Sequence, residues 1–190
     1  MRIFIAGLLG GIAMFVWSSI AHIATPLATA GLSTMPGEDR VLATLRAELG
    51  ETRGLYFFPG PHGSDRAAMA AQEAKVQSGV SGLLAYNPPA AKDAFGRQLG
   101  VEFALEVVEA WLTAWVISAA VGFWSRWLIA VGVGLIAAVT TNVSYWNWYG
   151  FSDAFTEANA FTELMKYVIA GAVAAAILGW RGRATSYRSS

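Results

Sequence analysis

The fold turns on one stretch, VEFALEVVEAWLTAWVISAAVGFW, residues 101–124. Read as a membrane span it gives the chain four crossings; read as a surface helix it leaves three. Its length suits the ~20 apolar residues that cover a ~30 Å hydrocarbon core. Yet Glu102, Glu106 and Glu109 stand in its first half. At 100° per residue these acids and Thr113 fall within an arc of about 60°, while Trp111 and Trp115 lie opposite, on the face expected toward lipid. Glu109 sits about 10 Å deeper than Glu102. A bare acid near a helix centre costs roughly 2.5–3.5 kcal/mol on insertion. The stripe is therefore expected to face other helices or a wet cavity, with Glu102 reaching the interface. On that reading the stretch is a span.

Three further apolar runs flank it. Residues 1–24 carry no formal charge beyond Arg2, and residues 127–144 and 163–180 complete the set. The whole chain is 55% hydrophobic and 14% charged, against about 25% charged in a soluble domain, and it contains no cysteine. Disulfides, thiolate metal sites and thiol catalysis are excluded. The first run has a rival reading as a signal peptide, with Ala28-Thr29-Ala30 as its cleavage site. It is longer than a signal core of 7–15 residues, so retention as a span is expected; cleavage would leave three spans.

Orientation follows from the basic residues. Arg2 precedes span one, Arg126 is expected in a tight turn between spans two and three, and Arg181, Arg183 and Arg188 follow span four. The positive-inside rule puts these and both termini in the cytoplasm. Trp124, Trp127 and Trp180 on that side, and Tyr145, Trp146, Trp148 and Tyr149 on the other, fit aromatic belts. The expected organisation is span one at 1–24, an extracytoplasmic block at 25–100, span two at 101–125, span three at 126–144, an outer aromatic loop at 145–162, span four at 163–181 and a cytoplasmic tail at 182–190. The fold class is an all-α four-helix transmembrane bundle with a small α+β insertion between spans one and two.

That insertion balances seven acidic against seven basic residues, as a water-exposed surface does. Val41, Leu42, Leu45 and Leu49 recur at helical spacing before Gly50. Gly54–Phe58 and Gly82–Tyr86 share a Gly-Leu opening, aromatic residues and a following proline, and are expected to pair as strands. Between them Ser64 is expected to cap a helix over 65–77, ended by Gly79. A two-stranded unit is marginal alone, so this block is expected to lean on a helix or the membrane surface, or to serve a partner protein as a lid.

Trp17-Ser18 with His22, Pro36-Gly37-Glu38, the run 54–60 (GLYFFPG) and the run 145–150 (YWNWYG) together resemble a group of small multi-spanning bacterial membrane proteins. The resemblance implies this topology and a bacterial inner-membrane address. It implies no activity.

Polar residues gather toward one end of the spans. Gly7, Gly11, Ser18 and His22 share a face of span one, where small residues allow close packing. Thr140, Thr141 and Asn142 end span three, and Glu163 and Lys166 open span four as an i,i+3 pair. Gly171, Ala175 and Gly179 form a second small-residue ridge. His22, Glu102, Glu106, Glu109, Thr140, Asn142, Glu163 and Lys166 are thus the expected intramembrane polar cluster, open toward the outer side.

Three functions fit such a cluster. A non-enzymatic accessory or ligand-binding membrane protein is the first. A proton or cation pathway through stacked glutamates is the second, weakened by an inner half without ionisable residues. A metalloenzyme using His22 and the glutamates is the third, but no Glu-x-x-His or His-Glu-x-x-His is present, and the other histidine, His62, stands in a Pro-Gly-Pro-His-Gly turn. No metal or cofactor is expected, and no catalytic residue is identified. The bilayer is the expected partner. Zero net charge argues against nucleic acid. Oligomeric state is left open.

Overall fold

The apolar residues after Met1 form helix α1 (Arg2–Ala24), followed by a 3₁₀ turn at Pro26–Thr29. The rest of the chain runs α2 (Glu38–Leu49), β1 (Gly54–Phe58), α3 (Arg66–Ser78), β2 (Gly82–Tyr86), α4 (Phe95–Ser118), α5 (Phe123–Tyr149) and α6 (Asp153–Gly179). This is a computed structural model describing residues 1–60, 63–89 and 94–180. His62, Arg181, Arg183, Arg188 and the expected tail at 182–190 lie outside the described residues. The chain divides into two units. One comprises Met1–Gly31, Phe95–Trp146 and the chain from Phe151; the other comprises Leu32–Ala94 with Asn147–Gly150.

In the helical unit α1 packs on α4 and α6. Close approach is possible because α1 presents glycine: a Cβ at Gly11 would lie 2.5 Å from Val107 Cα, and one at Gly7 would collide with the Trp111 ring. Trp111 is thus no simple lipid-facing residue, as its helical position suggested. It lies over Gly7 and donates from Nε1 to the Phe4 carbonyl at 2.9 Å. Two other indoles link helices in the same manner, Trp17 to the Thr162 carbonyl at 3.1 Å and Trp127 to the Val168 carbonyl at 3.0 Å. Trp127, expected in an aromatic belt, joins α5 to α6. Gly171 meets Ala130 of α5, and Ala175 is fully buried. Gly179 is exposed and takes no part in that ridge.

Helix boundaries depart from the expected spans. α4 begins at Phe95 rather than Val101 and ends at Ser118. The turn that follows precedes Arg126, which lies in the first turn of α5 and donates to the Ala120 carbonyl at 3.1 Å. A cation there complements the carbonyl end of α4. The expected outer loop at 145–162 is almost wholly helical. α5 continues to Tyr149, Gly150 takes φ 70, and Ser152 caps α6 by accepting from the Phe155 amide at 3.3 Å. Interfacial aromatics and acids were read as loop, but nothing in them breaks a helix, and the break comes at the glycine.

Helices α1, α5 and α6 are long and apolar enough to cross a membrane, with mean hydropathies of 2.1, 1.7 and 1.6. α4 spans 24 residues but is not among them. Three charged residues, Glu102, Glu106 and Glu109, interrupt its apolar run.

The second unit holds the antiparallel pair β1–β2, in register from Gly54 opposite Tyr86 to Phe58 opposite Gly82. Tyr56 and Tyr86 meet edge-to-face at 6.4 Å as diagonal neighbours on one face. α3 is capped by Asp65, which accepts from the Ala68 amide at 2.8 Å, and not by Ser64. Gln72 of α3 donates to the Pro59 carbonyl at 3.0 Å, tying the helix to the end of β1. Neither α2 nor α3 contains a buried residue. The unit is thin.

Candidate functional site

The glutamate stripe of α4 faces the bundle interior in part. Glu106, near the middle of α4, is 1% exposed, while Glu102 a turn earlier lies on the open edge. Opposite it, near the middle of α6, Lys166 is 8% exposed. The Lys166 Nζ stands 3.2 Å from Glu106 Oε1, 3.4 Å from Glu163 Oε2 and 3.5 Å from Glu102 Oε1. One ammonium therefore serves three carboxylates on two helices. α1 adds Ser18, whose hydroxyl donates to the same Glu106 Oε1 at 2.5 Å. Glu106 Oε2 is buried without a hydrogen-bond partner.

Glu109 belongs to the same stripe but not to the ion cluster. Its Oε2 is also buried and unpartnered, and its side chain lines a cavity of about 530 Å³. Around that cavity stand Ile136, Ala137, Thr140, Thr141 and Asn142 of α5, and Asn159, Glu163 and Tyr167 of α6. Asn142 Nδ2 donates to the Ala138 carbonyl and Asn159 Nδ2 to the Phe155 carbonyl, at 2.9 and 2.8 Å. Those bonds orient both amides, since a carbonyl can receive only from the nitrogen, and leave each Oδ1 to accept. The size lies within the ~300–1,000 Å³ range of ligand pockets.

His22 stands apart. It is exposed on α1, with Nδ1 2.9 Å from the carbonyl of Ser18 on its own helix. It lines two flanking cavities instead. One of about 130 Å³ is shared with Asn159 and Thr162, and a groove of about 310 Å³ between α1 and α4 is shared with Ser18 and Glu102. His22 is not among the residues that contact Lys166: it is exposed one turn beyond the buried Ser18, and it meets the cluster's edge only through the groove shared with Ser18 and Glu102. Among the described residues no three His, Asp or Glu side chains are placed to hold a metal ion.

The structure thus brings Glu102, Glu106, Glu163 and Lys166 together, and sets Glu109, Thr140 and Asn142 beside them around the cavity. Sequence reasoning missed Asn159 and Tyr167 as lining residues. Both lie four residues from Glu163: helical spacing already placed Tyr167 on that face of span four, and it would have found Asn159 had 145–162 been read as helix. Toward the other end of the bundle the buried residues Ala6, Ala114, Ile117, Ala130 and Ala174 are wholly apolar. No protein-family model, curated protein or solved structure matches the chain.

Proposed function

We propose that this chain is a four-span membrane protein that binds a small ligand in the cavity between α4, α5 and α6, without catalysing a reaction. The observation that carries this reading is the cavity itself, walled by Glu109, Glu163, two asparagines and Tyr167 and set against the Lys166 cluster. The fourth crossing is α4. In its favour, Leu105, Val108, Leu112, Trp115 and Val116 are exposed on one side of α4 while Glu106 and Thr113 are buried on the other. Lipid accepts the first face, and the bundle accepts the second.

Both termini are assigned to the cytoplasm, on the strength of Arg2 and Arg126 and the positive-inside rule. The resemblance noted above supplies the bacterial inner-membrane address. The second unit then lies outside and serves as the surface for a partner protein; in support, its elements expose Leu42, Leu55, Phe57 and Met69.

Native mass spectrometry of the protein extracted in mild detergent tests ligand binding. A small molecule should accompany the wild type and be lost from Ala137→Trp, which fills the cavity. Identical spectra without any bound mass would contradict it. A proton or cation pathway is the second reading, favoured by the unpartnered Oε2 atoms of Glu106 and Glu109. Proton flux into liposomes that disappears in Glu109→Gln would establish it.

A further inference from the structure

Resting on the ligand-binding reading, we propose that the cavity between α4, α5 and α6 selects an organic cation, a protonated amine small enough to seat its ammonium between Glu109 and Glu163. Three observations converge on that class. The first is charge. Glu102, Glu106 and Glu163 share a single ammonium on Lys166, Glu109 stands outside those ion pairs, and among the described residues no Lys, Arg or His lines the cavity wall. An anion entering there meets the carboxylates of Glu109 and Glu163, only the second of them paired with Lys166, and is disfavoured by like-charge repulsion.

The second is the polarity of the hydrogen-bonding groups. One Nδ2 bond to a backbone carbonyl fixes each of the Asn142 and Asn159 amides, leaving Oδ1 as an acceptor beside the one N–H the nitrogen keeps. Carboxylates only accept when ionised. Glu109, Glu163 and the two asparagines thus line the wall with acceptors, and a group with several N–H donors, as an ammonium has, complements them. The third is an orphaned oxygen. Glu109 lines the cavity, and its buried Oε2 has no hydrogen-bond partner. A buried acceptor left unpaired is costly, the more so when charged, and a donor-bearing cation beside Glu109 relieves that cost. Tyr167 also lines the cavity, and aromatic rings are groups that cations favour. Ile136 and Ala137 provide an apolar floor for the carbon skeleton.

The test uses three probes of one shape: phenethylammonium, neutral phenylethanol and anionic phenylpropionate. Each is titrated calorimetrically into the purified full-length protein in detergent, against micelles alone. Phenethylammonium should bind saturably, at least about tenfold tighter than the other two, the factor that one charge-assisted hydrogen bond supplies. Glu109→Gln should reduce its affinity by about tenfold, and Asn159→Leu, which leaves every charge in place, should reduce it as well. Equal binding of all three probes, or preference for the anion, overturns the cation assignment while leaving a ligand site in place. Binding of none overturns it too, and a bound mass in the native spectrum then decides separately whether the cavity holds any ligand.

Discussion

Lys166 Nζ lies 3.2 Å from Glu106 Oε1, and both residues are more than nine-tenths buried near the middle of their helices. A pair in that position must be satisfied from all sides, and α1 contributes by sending the Ser18 hydroxyl to the same oxygen. Breaking such a pair is costly because one charge stays behind in a medium that does not solvate it. Lys166→Met should destabilise the bundle by about 3–5 kcal/mol, read from thermal or denaturant unfolding in detergent. The double variant Lys166→Met/Glu106→Gln should recover part of the loss; simple additivity would show that the two side chains are not coupled.

The glycine face of α1 predicts a graded packing series. Gly11→Ala places a methyl against the Val107 backbone, and Gly7→Ala displaces the Trp111 ring. Each should cost about 1–3 kcal/mol by overpacking. Gly132→Ala, where a Cβ meets nothing within 4 Å, should be neutral. Equal unfolding midpoints for all three would remove the close α1–α4 approach.

The indole bonds between helices predict smaller effects. Trp127→Phe keeps the ring but loses the bond to the Val168 carbonyl, and should cost about 0.6 kcal/mol, the average found for interhelical hydrogen bonds in membranes. Trp115→Phe, at a residue 66% exposed, should change nothing. A cost at Trp115 matching that at Trp127 would contradict the assignment.

Because the chain has no cysteine, single cysteines report water access directly. Glu109→Cys and Thr140→Cys, on the cavity wall, should react in membranes with a water-soluble thiol reagent. Ala114→Cys and Ala130→Cys, fully buried in the apolar cluster, should not. Failure of both cavity positions to react would make the cavity dry.

What the residues disclosed depended on how local the deciding interaction is. The Gly54–Phe58 and Gly82–Tyr86 pairing was legible because like strands with proline stops need each other's backbone groups. The inward acids of α4 were legible too, since burial cost and helical period both act within one segment. Lys166 is expected from the sequence both as the i,i+3 partner of Glu163 and in one cluster with the α4 glutamates, but which carboxylates it reaches, Glu102 and Glu106 beside Glu163, depends on how α6 packs against α4. No single helix encodes that. The exposure of His22 and the helical run through 145–162 escaped for opposite reasons. The first depends on how α1 packs against two neighbours. The second was hidden because composition suggested an interface, whereas Gly150 and Ser152 alone mark the break.

If α4 crosses the bilayer with its acids toward the bundle, as proposed, its two ends lie on opposite sides of the membrane. Single cysteines at its two ends test this most directly: Gly96→Cys, where a side chain meets nothing within 4 Å, and Val121→Cys, at a residue 87% exposed just past the helix. An impermeant thiol reagent should label position 96 in intact cells and position 121 only after the membrane is opened. Labelling of both positions from the same side would contradict it.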